Sequence, residues 1–435
     1  MIDIKINDAV ILAAGRGSRL KKERMDCSKP MMYVRGKPLI TYAIDSLLEC
    51  GIGNIYIIYH DSSSDLLLLK EHNKSYADSL RFVEDTEQSG ALNTFYYAKN
   101  HVQTPFILTF SDIIIDVKEF RKMITTALNI YRKSADLMIQ TVCQPLIPFE
   151  KPLLVNNEKM IVEWSKDGVA ERMNCQAKHG GMVYLWFSNP FELAEEELLQ
   201  GNNSFSIFLQ KFIKQKFVYE MEIGNLWDVD TLEDLINTEM LLMPIIALVA
   251  PICSGKTEVL SYLRRKNFEG IDVGRFLYEL FKLDFSYTPR ENFTVEIMKA
   301  AEEYGMDNVA LRILDELKSL YKPGMKGFVL CGLREKKLMK AIENASQSKL
   351  IKLFIKSDML SCFSRIGNRP LRTADPISLD AFTKTYEADM DIGIKELVTD
   401  CEFDIVENNS TIEYLFLQID SFLRKYELMD RVVEV

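Results

Sequence analysis

Two short apolar runs, each leading into a glycine-bearing loop, constrain this chain more than any other feature. Ala9-Val10-Ile11-Leu12-Ala13 stops at Gly15 and Gly17, and Ile245-Ile246-Ala247-Leu248-Val249 leads toward Ser254-Gly255-Lys256-Thr257. A continuous apolar run of this kind predicts a strand buried on both faces. A glycine just beyond it lets successive backbone amides turn toward an anion. A chain that begins such a unit twice, far apart, has two cores. Its 435 residues also exceed what one ordinary core accommodates.

Between these two starts, strand and helix patterns alternate. Pro38 opens a helical pattern through Leu39, Ala43, Ile44, Leu47 and Leu48, which Gly51 and Gly53 stop before the strand Ile55 to Tyr59. Residues 91–102 read as a helix, and Phe106 to Phe110 as a buried strand followed by Asp112. Such alternation predicts an α/β domain whose mostly parallel sheet is covered on both faces. Strand-like runs at Leu137 to Val142 and Met182 to Phe187 read as a substrate-facing insertion. Helical patterns return at 205–216 and 231–242. The boundary falls near Met243–Pro244, giving domains 1–243 and 244–435 with no Gly/Ser linker.

Composition excludes several classes. The formal net charge of −10, with no long Lys/Arg block, argues against a nucleic-acid coat. Eight scattered cysteines without a CxxC pair read as reduced thiols of a cytoplasmic protein. Asp3 and Asp8 precede the first strand, which is no signal peptide, and the apolar run Met240 to Ala250 is interrupted by Pro244 and too short to span a bilayer. The expectation is a soluble cytoplasmic enzyme without nucleic-acid or membrane partners. Its oligomeric state is not readable.

The first loop carries chemistry. Ala13-Ala14-Gly15-Arg16-Gly17-Ser18-Arg19, with Lys29-Pro30 beyond it, combines a backbone amide cradle with three cations suited to a triphosphate. It lacks the third glycine of the dinucleotide fingerprint. The spacing resembles the signature of nucleoside-triphosphate transferases that activate sugar 1-phosphates and phosphocholine, over about residues 8–240. The resemblance implies a Rossmann-like, glycosyltransferase-A-like sheet. It also implies nucleotide binding by Ala14, Gly15, Gly17, Ser18 and Gly90 (within Gln88-Ser89-Gly90), with catalysis by Arg19 and Lys29. Magnesium would sit on Asp112 and on Asp230 of Trp227-Asp228-Val229-Asp230-Thr231, with Asp228 assisting. Lys166 and Gly181, the latter in His179-Gly180-Gly181, would lie along the acceptor. Sugar 1-phosphate comes first as acceptor and phosphocholine close behind; the base stays open.

The second loop, Ala250-Pro251-Ile252-Cys253-Ser254-Gly255-Lys256-Thr257, resembles a Walker A loop with alanine at its first position. That is a modest departure if Ala250 has negative φ and an obstacle if φ must be positive. Gly270-Ile271-Asp272, Gly332-Leu333-Arg334, Arg365, Arg369, Arg372 and Ile405 to Ser410 extend a resemblance to P-loop small-molecule kinases of the dephospho-coenzyme A and nucleoside monophosphate type. It implies nucleotide binding by Gly255, Lys256 and Thr257, catalysis by Lys256, a Thr257 hydroxyl on magnesium and Arg365, Arg369 and Arg372 as lid arginines. The leading expectation is thus a magnesium-dependent nucleotidyltransferase fused to a kinase. The alternative is a phosphocholine-type cytidylyltransferase whose second half senses nucleotide.

Overall fold

The computed structural model of the chain describes residues 5–15, 27–72, 74–131, 137–143, 153–164, 175–224, 226–283, 292–346, 350–366, 378–400 and 402–429. The chain divides into two compact units, Met1–Thr238 and Glu239–Val435.

The first unit is built on a mixed sheet. Strands β1 (Asp8–Leu12), β2 (Asn54–Tyr59), β3 (Leu80–Glu84) and β4 (Phe106–Phe110) form its continuous parallel core in the order β3-β2-β1-β4. After the short β5 (Ile113–Ile115) come β6 (Leu137–Cys143), β7 (Leu153–Val155) and β8 (Ile161–Trp164). The long β9 (Gln176–Trp186) then enters antiparallel to β4 and also pairs with β6 and β7. Two further strands follow, β10 (Phe217–Glu222), parallel to β6, and β11 (Leu226–Asp228).

Side chains on β1 alternate between two cores. Ala9 and Ile11 pack with Ile55, Ile57 and Ile107, while Val10 and Leu12 pack with Ile58, Phe106 and Leu108. Both faces are buried, which is why the strand reads as one apolar run; each fully buried Ile or Leu contributes about 1.5–3 kcal/mol. The first face is covered by α1 (Ile40–Glu49), whose Ile40, Ala43, Ile44 and Leu47 point inward. The second carries an aromatic cluster in which Phe95 stacks on Trp186 with centroids 5.7 Å apart. The helix expected over 91–102 is shorter, α2 (Ala91–Tyr96), and tightens into a 3-10 turn over Tyr97–Asn100, a common end for a helix. Pro38 lies just before α1, in a two-residue strand.

The second unit holds a five-stranded sheet, all parallel. In chain order the strands are β12 (Ile245–Val249), β13 (Phe268–Asp272), β14 (Gly327–Cys331), β15 (Ile351–Lys356) and β16 (Asp404–Glu407). Their spatial order is β13-β14-β12-β15-β16, so the first strand of the unit lies at the centre. Here too the apolar run is split between two faces, Ile245, Ala247 and Val249 on one and Ile246 and Leu248 on the other. No helix among the described residues is long and apolar enough to cross a membrane.

Candidate functional sites

In the first unit the site forms where β1 and β4 end. Ala13 N–H extends the ladder to Ile58 O at 2.7 Å, and Ser111 N–H donates to Leu12 O at 3.0 Å. The chain then opens into a cavity of about 630 Å³ whose wall includes Ala14, Gly15, Lys29, Gln88, Gly90, Asp112 and Asp230. Arg16, Gly17, Ser18, Arg19 and Lys166 lie outside the described residues.

Opposite the glycine loop, residues 85–90 are shaped by Asp85. This fully buried carboxylate accepts Glu87 N–H at 3.1 Å, Gln88 N–H at 2.9 Å and the Thr94 hydroxyl at 2.6 Å. Gln88 holds φ +47° and its side-chain amide donates to Ala14 O at 2.8 Å, tying the two loops together. Gly90 has φ +139°, and a Cβ there would stand 2.7 Å from Asn203 O, so the position admits only glycine. Sequence reasoning misses Asp85 and Thr94, because an acid nine residues before a threonine carries no recognisable spacing signal.

Asp112 and Asp230 line the same cavity, and the Asp228 carboxylate stands beside them. β5 pairs antiparallel with β11, setting Ile113 opposite Asp228, and Val229 N–H donates to Asp112 O at 3.1 Å. Asp234 accepts Thr231 N–H at 2.8 Å and the Thr231 hydroxyl at 2.7 Å, and Thr231 Oγ1 accepts Asp234 N–H, closing a capping box at the start of α3 (Leu232–Leu241). Carboxylate oxygens of Asp112, Asp228 and Asp230 lie within 4.8 Å of one another. Lys29, on a short 3-10 turn with Pro30 and Met31, donates from Nζ to Asp112 Oδ2 at 2.5 Å and Asp230 Oδ1 at 2.7 Å.

The electrostatics follow from this crowding. Burial works against the Lys29 ammonium, but Asp112 and Asp230 outweigh it and hold its pKa above the ordinary value. For Asp228, desolvation among the surrounding protein atoms comes first and the like charges of Asp112 and Asp230 second. Together they push its carboxyl up to about 7, although part of the side chain faces solvent. An all-oxygen set of this kind, already paired with a cation, fits a hard divalent ion such as magnesium. Gly181 is not in the cavity wall; a Cβ on it would meet Thr141 Oγ1 at 2.4 Å, so close strand packing accounts for this glycine.

In the second unit, β12 runs into a loop that ends at Gly255, left-handed at φ +99°, the N-cap of α4 (Lys256–Arg265). Ala250 is not among the residues with positive φ, so the alanine is no backbone obstacle. Lys256 curls back with Nζ 3.3 Å from Ala250 O, and a Cβ added at Gly332 would stand 4.0 Å from the same nitrogen. Burial and then the neighbouring Arg334 lower its pKa. Arg334 itself pairs with Asp389. Asp272 ends β13, one strand from Cys331, and caps the next helix by accepting Arg275 N–H at 3.0 Å. Thr257 is exposed in the first turn of α4.

Arg365, expected as a lid arginine, lies against the loop. It donates to Cys253 O at 3.3 Å, Ser357 Oγ at 3.0 Å and Asn408 O. Asn408 in turn donates its amide to Ser254 O at 2.9 Å. Arg369 and Arg372 lie outside the described residues.

Comparison with known proteins bears on the first of these sites. Residues 9–139 match the family model of the MobA-like NTP transferase domain. The bifunctional protein GlmU of Methanocaldococcus jannaschii is 26% identical over 249 residues, 54% of this chain and 56% of that protein. The CTP:phosphoglutamine cytidylyltransferase of Campylobacter jejuni is 25% identical over 252 residues, 52% of this chain and 97% of that protein. Among solved structures, the inositol-1-phosphate CTP transferase from T. maritima is 19% identical, covering 53% of this chain and 91% of that one at a TM-score of 0.44. This chain spans about half the length, 56%, of the M. jannaschii protein. By the family match, residues 9–139 are a MobA-like NTP transferase domain.

Proposed function

We propose that the first unit is a nucleotidyltransferase that joins a nucleoside triphosphate to a small phosphorylated acceptor and releases pyrophosphate. The observation that carries this reading is the convergence of Lys29, Asp112 and Asp230, with Asp228 beside them, on the cavity that Gly15 and Gly90 line. The acceptor phosphate, an anion near neutral pH, attacks the α-phosphorus in line and pyrophosphate departs. No proton has to be removed from the attacking oxygen, so the site needs no general base, and His179 has no part in the reaction. Lys29 stabilises charge on the transferring group, and the 85–90 loop holds the base against Ala14 and Gly90. Magnesium on Asp112 and Asp230, with Asp228 beside them, would neutralise the leaving pyrophosphate.

The acceptor we favour is a sugar 1-phosphate. A CTP-dependent reaction on a phosphorylated, nitrogen-bearing acceptor is the second reading. It is favoured by the alignment to nearly the whole of the C. jejuni phosphoglutamine cytidylyltransferase. The second unit we read as a P-loop kinase, supported by left-handed Gly255, by Lys256 beside Gly332 and Arg334, and by the negative φ of Ala250. Joined in one chain, it would phosphorylate a small molecule of the kind that the transferase consumes.

The test is pyrophosphate release by the full chain with magnesium, across CTP, UTP, GTP and ATP and a panel of sugar 1-phosphates, phosphocholine and phosphoglutamine. Release with one pair supports the transferase and names its substrates. A folded chain that binds triphosphate and releases none with any pair contradicts it.

A further inference from the structure

We infer that Asp389 takes the proton of the phosphoryl acceptor in the second unit, and that this acceptor is a hydroxyl, so that the product is a phosphomonoester. The inference rests on the P-loop kinase reading of that unit and adds to it a residue and an acceptor class.

The sheet sets the place. Lys256 follows the central strand β12, Gly332-Leu333-Arg334 follow its neighbour β14, and Asp272 ends the edge strand β13. On the other side, toward β15 and β16, Arg365 and Asn408 hold the loop through Cys253 O and Ser254 O. A phosphoryl group on Lys256 therefore meets its acceptor on the β14 side. Asp389 reaches that side from α5 (Leu379–Asp389), where it follows Phe382 and Thr385 on the buried face. Beyond it the chain makes a π-helical turn, Met390–Ile394, a device often found at functional sites. A Cβ on Gly393 of that turn would collide with Arg334 O, so the end of α5 sits directly on the Gly332–Arg334 segment. Lys256 Nζ lies on the same segment, 4.0 Å from where a Gly332 Cβ would stand.

The carboxylate is only half used. Its side chain is 10% exposed; Oδ1 accepts from Arg334, and Oδ2 has no hydrogen-bond partner among the described residues. A carboxylate kept only to hold the arginine would offer both oxygens to the guanidinium fork, since a buried acceptor left unmade is costly. Oδ2 is thus an acceptor for a donor that the described protein does not supply. A hydroxyl supplies one. An acceptor phosphate, anionic near neutral pH, would instead set its charge against Asp389, whose Arg334 partner is already paired. Asp272 is engaged elsewhere, capping the next helix at Arg275 N–H.

The step balances. The hydroxyl oxygen bonds to the γ-phosphorus of ATP, the bond from that phosphorus to the β–γ bridging oxygen breaks, and ADP leaves with its electron pair. The hydroxyl proton passes to Asp389 Oδ2. Sugar 1-phosphates and phosphocholine are phosphomonoesters, so a product of this class is what the first unit is proposed to consume.

The test gives the full chain magnesium and γ-labelled ATP with unphosphorylated alcohols (hexoses, inositol, choline, glycerol) or with nucleoside monophosphates. Phosphorus NMR tells a phosphomonoester product from a phosphoanhydride. We expect label in a phosphomonoester. Asp389→Asn should lower kcat at least about a hundredfold and leave the KM for ATP within about threefold, a split that a merely structural role would not give. A phosphoanhydride product would overturn the inference and leave the kinase reading standing. A folded Asp389→Asn with near-normal kcat would overturn the role of Asp389. If that variant proves unfolded by circular dichroism, the product class of wild type still decides. ATP binding that Lys256→Met abolishes, with label passing to neither panel, also contradicts the inference while the nucleotide seat stands. If the folded chain neither binds ATP nor transfers label, the kinase reading falls and the inference with it.

Discussion

Each unit of this chain places a lysine at the carboxyl end of its sheet, and the two are held in opposite settings. Lys29 is bridged by Asp112 and Asp230, and its pKa is raised. Lys256 lies against the backbone carbonyl of Ala250 with Arg334 nearby, and its pKa is lowered. On the function proposed above, the first lysine marks a seat for cations and the second a seat for anions. Both can serve phosphate chemistry, but by different routes. The carboxylates need a divalent ion between themselves and a phosphate, whereas the glycine loop and its lysine meet a phosphate directly. Neighbouring charge, rather than the residue type, decides what each lysine does.

The largest effect should come from removing the carboxylate seat. Asp112→Asn is expected to cut pyrophosphate release about a thousandfold or more while the far-ultraviolet circular dichroism stays unchanged; near-normal release would break the contrast. Next, Lys256→Met should lower phosphoryl transfer from ATP by about a hundredfold or more and leave pyrophosphate release within about twofold. If the transferase rate alone changed, the second unit would be a sensor rather than a kinase. Gly90→Ala should destabilise the first unit by about 2 kcal/mol or more, since φ +139° and the approach of Asn203 O oppose any Cβ. Urea unfolding would measure this, with a raised KM for the triphosphate as its companion.

The smallest effect concerns pH. The Asp228 carboxyl sits near 7 in the folded chain against 3.8 for the free group. It therefore takes up its proton more readily when folded. The stability this gives is present below about pH 4 and is lost as pH rises through 7. Because the side chain is partly exposed, the change is modest. Asp228→Asn should flatten the urea midpoint between pH 4 and 7, and an unchanged slope would move the effect to another group.

Much of this was legible in the residues, and the remainder was not for definite reasons. The apolar runs of β1, β4 and β12 predict buried strands because both faces of these sheets are covered. Asp112 and Asp230 stood out in the sequence through a family resemblance, one just after a buried strand and the other before a helix. Their junction with Lys29 spans 201 residues of chain and depends on the β5–β11 pairing, which no local pattern encodes. Asp85 looks like any acid in a turn, yet it organises the loop opposite the glycines. Arg365 matches a lid arginine by spacing, but its hydrogen bonds to Cys253, Ser357 and Asn408 arise from β15, β16 and the glycine loop coming together. Gly181 fits an acceptor strand by motif, while its packing on Thr141 can be seen only with the neighbouring strand in place.

The most direct test of the central claim follows two labels through one chain. The matching triphosphate, labelled at either the α- or the γ-phosphorus, is incubated with the full chain, magnesium and the acceptor panel. We predict that α-label moves into a nucleotidyl product, that Asp112→Asn stops this and that Lys256→Met does not. The reverse pattern is expected for γ-label passing to a small molecule. Were α-label never to leave the triphosphate while the folded chain binds it, the carboxylate seat would not be a nucleotidyl-transfer site.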